Sequence, residues 1–357
     1  WVRAAGSRGI ETLAELELGW LRCNCKVLAV TGSNGKSTLA KLCKEAIELA
    51  GAKAEVAGNY GLPVSTVAME ERGLDWLVLE VSSFQLETTS RFRPDVGVVL
   101  NVLPNHIDRH GSLANYTRIK ARLLSAMNEG DAAVVPPELL DFCRTVAGAP
   151  GRWVKFGDGD GADCVFKKGE VLCRDYGAGG EAGRRVSFKG TFLDNEIMGL
   201  TAAAAVAAAR ECGIDPAFVA SAARDFKQLP HRMTKVAEIG GVQFIDNSKA
   251  TNSAAVSAAL RMCRGPVRLI AGGRAKETDF SGVKGFLAGK AVKVYLIGEA
   301  KFVLASAWRS MLSTRLWSCF PDRRFLCITR SCITSMWWGG FVMMAWCLLM
   351  SWMRFLR

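Results

Sequence analysis

The run Thr31-Gly32-Ser33-Asn34-Gly35-Lys36-Ser37-Thr38 constrains this chain more than any other feature. It follows an apolar stretch, Val27 to Val30, that reads as a buried strand, and it precedes a helix-like segment from Leu39 to Ala50. A glycine loop between a strand and a helix N-terminus aims backbone N–H groups and the positive end of the helix dipole at one point. That is a seat for nucleotide phosphates. Lys36 adds a full charge for the outer phosphates, and Ser37 or Thr38 offers a hydroxyl to Mg²⁺. The common phosphate-loop pattern asks for another glycine where this chain has Val30, so only the Gly-Lys-Ser-Thr half is intact. A glycine-rich turn with no ligand is the plainer alternative; the flanking strand and helix favour ATP.

Two further clusters turn the loop into a site. Asp75 to Val81 is a strand-like run with Glu80 near its end, followed at once by Ser82-Ser83-Phe84-Gln85-Leu86-Glu87. Ligands of open α/β sheets gather at the carboxyl ends of strands, so Glu80 becomes a candidate Mg²⁺ ligand. The next apolar strand, Val96 to Leu100, runs into Asn101-Val-Leu-Pro-Asn105-His106-Ile-Asp108-Arg109-His110. Two of the three histidines of the chain fall in this loop, which favours a site over a structural role.

The ordered set Gly32–Thr38, Gly58-Asn59-Tyr60-Gly61, Glu80–Glu87, Asn105–His110, Tyr116 with Lys120, Leu229–Arg232 and Asp246–Asn252 resembles the Mur ligases of peptidoglycan synthesis. Ser82-Ser83-Phe84-Gln85-Leu86 is most similar to the D-glutamate-adding branch. The resemblance covers roughly residues 1 to 300. It implies an ATP-dependent amide-bond ligase that joins D-glutamate to UDP-N-acetylmuramoyl-L-alanine through an acyl phosphate. It implies that Gly32, Ser33, Asn34, Gly35, Lys36, Ser37 and Thr38 hold ATP, with Arg232 and Asp246 meeting it from a second domain. Ser37, Thr38 and Glu80 would bind one Mg²⁺ and His106 a second metal. Lys120 matches a lysine the family carbamylates into a metal ligand, although the residues alone read it as a helix-surface lysine. Lys36, Glu80, His106 and Lys120 would thus carry the chemistry. Asn59, Ser82, Ser83 and Gln85 would position the muramoyl substrate, and Lys249, Thr251 and Lys276 would contact nucleotide and amino acid. One departure concerns Asp194-Asn195-Glu-Ile-Met198, which keeps one family asparagine and loses a histidine and a second asparagine, putting the adenine contact there in doubt.

The expected fold is α/β: a central ATPase domain with a parallel sheet, then an incomplete Rossmann-like domain. Residues 1–25 are expected to be the remnant of a uridine-binding domain truncated at its start, 26–229 the ATP-binding domain, and 230–300 part of the last ligase domain. Hairpins are expected between Trp153 and Lys189, a helix over Thr201 to Ala209, and strands near Val242–Ile245, Val267–Ile270 and Val292–Ile297. From residue 301 the composition breaks: six of ten Trp, six of eleven Met, and eight Lys and Arg against the single acid Asp322. We read 301–357 as the product of a frame-shift, which would leave a sheet edge open after Val292–Ile297 and the chain inactive in ligation. The uncharged stretch Cys332–Met353 has the length of a membrane span, but an anchor on an interrupted ligase makes little functional sense.

Of the net charge of +12, the tail holds +7, so the basic balance does not point to nucleic acid. The twelve Cys are scattered without metal or redox spacing, which suits a reducing compartment and a cytoplasmic enzyme. A monomer is expected. The competing readings are a sister Mur or folylpolyglutamate-type ligase with another acceptor, and a non-catalytic nucleotide-binding remnant.

Overall fold

The computed structural model describes residues 2–70, 72–148, 151–174, 183–274 and 280–308, and the backbone of 317–319. The chain forms two compact units, Trp1–Lys227 and Gln228–Arg357.

The first unit is built on strands β1 (Lys26–Thr31), β2 (Ala54–Gly58), β3 (Trp76–Glu80), β4 (Val96–Val99), β5 (Ala132–Val135), β6 (Arg152–Gly157), β7 (Cys164–Lys167), β8 (Glu170–Cys173) and β9 (Arg184–Ser187). They form one sheet in the order β2-β3-β1-β4-β5-β6-β7-β8-β9. Neighbours from β2 to β7 are parallel; β7, β8 and β9 pair antiparallel, as the alternating sequence there predicts. The central strands carry apolar residues at successive positions, Val27 to Val30 in β1 and Trp76 to Leu79 in β3, because both faces are covered. Leu28 and Val30 of β1 join one core with the helix Lys36–Leu49, while Val27 and Ala29 join the core on the opposite face. β3 divides in the same way, Trp76 and Val78 against Leu77 and Leu79.

The alanine-rich segment is a longer helix than its composition outlines, Glu196–Glu211, started by Asn195, whose side chain accepts from the Met198 N–H. Its small residues let the backbone approach β7: a Cβ on Gly199 would stand 2.2 Å from the Phe166 ring. Residues 15–20, set apart in the sequence as part of a separate remnant, pack in this unit. The buried Glu17 carboxylate accepts from the Ser90 N–H at 3.0 Å, and a Cβ on Gly19 would meet the Ser65 backbone at 2.5 Å.

One cysteine pair departs from the expectation of unpaired thiols. Cys164 and Cys173 face each other across β7 and β8 with Cα atoms 4.3 Å apart and are joined as a disulfide. Spacing did not reveal this, because cross-strand register decides it. Cys23, Cys25, Cys43, Cys143, Cys212 and Cys263 are free thiols.

The second unit contains the antiparallel pair β10 (Thr234–Ile239) and β11 (Val242–Asp246), and a parallel sheet β12 (Val267–Gly272), β13 (Ala291–Ile297), β14 (Trp317–Cys319). Its core gathers Leu260, Val283, Leu287, Val294 and Leu296 with Leu304 and Trp308 of the helix Lys301–Trp308. Packing therefore continues past the composition break at residue 300. The edge expected to stay open beside β13 is paired with β14, Val294 opposite Trp317 and Leu296 opposite Cys319. Among the described residues no helix is long and apolar enough to cross a membrane; the stretch 332–353 lies outside them.

Replacing Gly199 by leucine forces a branched side chain into the Phe166 ring. Denaturant unfolding should show a loss of ~1–3 kcal/mol with the slope unchanged. Unchanged stability would mean that the helix does not approach β7 as closely as described.

Candidate active site

Three loops meet because β1 lies between β3 and β4, all parallel, with Val30 beside Glu80 and Thr31 beside Val99. Parallel pairing sends the segments after these strands out of the same sheet edge. The loop after β1 closes on Gly35, whose φ of 84° is left-handed and whose missing Cβ would stand 2.9 Å from Leu100 Cδ2. The helix Lys36–Leu49 starts there, three residues earlier than its apolar pattern suggests. Lys36 Nζ donates back to the carbonyls of Gly32 (3.0 Å) and Ser33 (3.3 Å), so its charge lies over the loop. Ser37 is buried and Thr38 half-buried in the first turn.

Asn101, two residues beyond β4, holds the loop shape. Its Oδ1 accepts from the N–H groups of Ser33 (3.1 Å) and Asn34 (2.9 Å), and its Nδ2 donates to the Asn34 carbonyl at 3.0 Å. It was not among the candidates from sequence, although its place at a strand end is the signal that could have found it.

Glu80 ends β3 in a buried position. Gly58 (φ 96°) passes so close that a Cβ would lie 2.5 Å from the Glu80 carbonyl. That approach lets Asn59 donate twice, its N–H to the Glu80 carbonyl (2.8 Å) and its Nδ2 to Glu80 Oε1 (2.7 Å). The second carboxylate oxygen, Oε2, is buried with no hydrogen-bond partner. Such an orphaned anionic oxygen fits a cation ligand.

Lys120 is 1% exposed, which corrects its reading as a surface lysine. Its Nζ donates to the Gly32 carbonyl at 2.8 Å and lies over the Tyr116 ring. Burial holds the amine well below its usual pKa, the Lys36 charge lowers it further, and Glu80 opposes both. Tyr116 is buried in turn, its hydroxyl 3.4 Å from Ser33 Oγ. Among the described residues no three His, Cys, Asp or Glu side chains converge as a metal cluster. A Mg²⁺ ion, which keeps several waters, needs no such cluster.

His106 has left-handed backbone (φ 54°) at the start of the short helix Ile107–His110, and its ring meets the edge of Phe84 at 5.1 Å. Ser82 and Gln85 form a capping box: Ser82 Oγ accepts from the Gln85 N–H at 3.2 Å, and Gln85 Oε1 accepts from the Ser82 N–H at 2.9 Å. Both side chains therefore have structural work beside any contact with substrate. Ser83 is buried, 3.1 Å from His110 Nε2.

In the second unit, Arg232, Asp246, Lys249 and Thr251 lie on two segments joined by His231. Its Nδ1 is 2.5 Å from Asp246 Oδ2, and its carbonyl accepts from the Lys249 N–H at 3.2 Å. Burial pushes the Asp246 carboxyl up, but hydrogen bonds from His231 and Ser248 outweigh it and leave the group below its usual range. Lys276 lies outside the described residues.

Fold and loop define a phosphate-loop α/β protein. The chain matches the Mur ligase middle domain over residues 30–189. It is 37% identical over 325 residues to the UDP-N-acetylmuramoylalanine–D-glutamate ligase of Pelotomaculum thermopropionicum, covering 87% of this chain and 68% of that protein. The enzyme of that name from Acidobacterium capsulatum is 38% identical over 82% of this chain. This chain belongs to the Mur ligase family. It spans 64% of the length of the Acidobacterium protein. Its fold is shared by MurF from Acinetobacter baumannii (TM-score 0.67, 18% identity, 89% of this chain and 72% of that one) and by E. coli FolC (TM-score 0.60, 18% identity, 80% and 78%).

Two outcomes follow from this geometry. Asn101→Ala removes the side-chain acceptor of the Asn34 amide, while the Ser33 amide keeps the Asn101 carbonyl at 2.9 Å, so hydrogen exchange should accelerate about 10-fold or more at Asn34 and less at Ser33; unchanged protection at Asn34 would remove the Asn101 side chain from the loop's support. Lys120→Met exchanges a buried amine for an apolar chain of similar length. Its thermal unfolding midpoint should hold or rise; a marked fall would mean that Lys120 stabilises the fold.

Proposed function

We propose that the chain carries the site of an ATP-dependent carboxylate–amine ligase that joins D-glutamate to UDP-N-acetylmuramoyl-L-alanine in cell-wall synthesis, in the cytoplasm where such nucleotide-activated precursors are made. One observation carries the reading: a glycine loop, an orphaned carboxylate oxygen on Glu80 and the buried amine of Lys120 converge on one side of three adjacent parallel strands. The relatives at 34–38% identity that bear this ligase's name support the choice of substrate.

The chemistry explains the residues. A carboxylate is a poor acyl donor, so it is first converted to an acyl phosphate; the amine of D-glutamate then attacks that carbonyl and phosphate leaves. Bringing carboxylate and phosphoryl oxygens together needs positive charge placed in advance. Lys36 supplies one full charge, and the loop from Gly32 to Gly35 would supply partial ones, its shape held by the Ser33 and Asn34 N–H groups bonded to Asn101. Ser37, Thr38, Glu80, His106 and Lys120 would hold Mg²⁺, which neutralises phosphoryl charge. Burial lowers the pKa of the Lys120 amine, which favours the neutral form that can be carbamylated. Asn59, Ser82, Ser83 and Gln85 position the muramoyl substrate. The family resemblance alone assigns Arg232, Asp246, Lys249, Thr251 and Lys276 to nucleotide and amino acid.

Nucleotide binding is the deciding test. Calorimetry should show ATP binding in the presence of Mg²⁺, weakened about 100-fold or more in Lys36→Ala with the fold intact. No ATP binding by the unaltered chain would overturn the proposal. ATP binding without D-glutamate-dependent phosphate release would instead leave a nucleotide-binding remnant.

A further inference from the structure

Cys164 and Cys173 form a buried, bonded pair to which the reading above gives no task. Their strands place them in one core with Phe166, Val171 and residues 202–209 of the helix Glu196–Glu211. Two residues along β7 from Cys164, the Phe166 ring lies directly against that helix at Gly199. Two residues along the helix, Thr201 Oγ1 lies 3.5 Å from where a Cβ on Gly35 would stand, at the turn of the phosphate loop. The hairpin also holds the segment that leads into the helix. The Phe188 N–H donates to the Gly169 carbonyl at 2.8 Å, and a Cβ on Gly169 would meet Asp194 Oδ1 at 2.4 Å. A continuous line of packed groups thus runs from the sulfur pair to the loop.

The hairpin lies at the end of the sheet, where such a pair can open. β7 joins β6 through two register pairs, Phe156 with Cys164 and Gly157 with Val165, and β9 is the edge strand. Both sulfurs are enclosed, Cys164 at 0% and Cys173 at 1% exposure, so a reagent meets them only when the hairpin opens locally. In reduction, a thiolate of a small dithiol attacks one cysteine sulfur, and the other leaves as a thiolate and takes up a proton. The reagent's second thiol then displaces the first cysteine and closes its own disulfide, so two electrons pass to the protein. Glutathione disulfide reverses the step and leaves as two thiols. Two thiols cannot approach as closely as two bonded sulfurs. In a close-packed interior the extra room must come from the neighbours, and the Phe166 ring already lies against the helix backbone at Gly199. Reduction therefore displaces the first turns of the helix that backs Gly35.

We propose that Cys164–Cys173 is a redox site coupled to the phosphate loop: the disulfide holds the hairpin close under the helix and supports Gly35, and the dithiol form loosens that support. Where disulfides occur in a reducing compartment they are chiefly catalytic or redox-sensing, which suits an exchangeable pair. The coupling is reciprocal. By whatever factor reduction weakens nucleotide binding, bound nucleotide must favour the disulfide. This goes beyond the reading given under Proposed function and rests on it for ATP as the ligand.

Lys167 and Lys168 lie between the two cysteines, so trypsin cuts between them and an intact disulfide leaves the two peptides joined. After free thiols are blocked, mass spectrometry of protein treated with glutathione disulfide should show the joined peptides, and dithiothreitol should separate them. Their absence after oxidation would overturn the proposal. Calorimetry on the full chain should show ATP binding about 10-fold weaker after reduction. Saturating ATP should lower the reduction midpoint of the pair by about 30 mV, the same factor for a two-electron couple. In Cys164→Ala/Cys173→Ala, ATP affinity should no longer respond to dithiothreitol. A response that persists would place the effect in the free cysteines and overturn the assignment. Hydrogen exchange of the unaltered protein needs no variant. Reduction should accelerate it about 10-fold over residues 199–201 and at the Asn34 amide; equal exchange in both states would reduce the disulfide to a structural tie and end the proposal. If ATP binds in neither redox state, the ligase reading fails, and the exchange comparison alone decides whether the pair is coupled to the loop.

Discussion

β1 lies between β3 and β4 with all three strands parallel, and the arrangement of the site depends on that pairing. The register sets Val30 beside Glu80 and Thr31 beside Val99. Antiparallel neighbours would have sent the segments bearing Glu80 and Asn101 to the opposite edge. Parallel pairing needs crossovers, and the helices that supply them cover both faces of the sheet. The two cores on either side of β1 are the cost-free consequence: alternate residues of one strand feed each of them.

At that edge the protein tolerates groups that a stable interior would avoid. Glu80 has a buried oxygen with no partner, and Lys120 has an amine that burial drives toward neutrality. Each is destabilising by itself, since removing ions from water without full compensation is unfavourable. Asn59 partly offsets the first and the Gly32 carbonyl the second. Under the proposed function, cations and phosphate charge would relieve this residual imbalance, setting apo stability against ligand binding.

The phosphate loop, the strands around Glu80 and the alternating pattern of the hairpins were legible in the sequence, because each is a local pattern with a local cause. Leu39 to Ala50 read as a helix from its apolar period, yet the helix begins at Lys36, since Gly35 supplies the left-handed turn on which it starts. The composition break at 301 misjudged how far packing extends: Leu304 and Trp308 are ordinary core residues of the second unit despite the unusual segment that contains them. The sequence also hid the link between residues 15–20 and the first unit, because Glu17 is satisfied by backbone N–H groups of Ser90 and Arg91, far along the chain.

The amino-acid sequence alone determined the family resemblance, the α/β class and the chemical inventory of the site, since these depend on residue type and spacing along the chain. Tertiary structure decided what those residues can do. A lysine on a helix is a surface group by default, and only the packing of Tyr116 and the Gly32 carbonyl around it makes Lys120 a buried amine with a lowered pKa. Asn101 and His110 looked like loop residues until the fold brought one to the Ser33 and Asn34 amides and the other between Ser83 and Glu87. The Cys164–Cys173 pairing likewise waited on register. Burial and cross-strand neighbours are properties of contacts distant in sequence, and no local pattern encodes them.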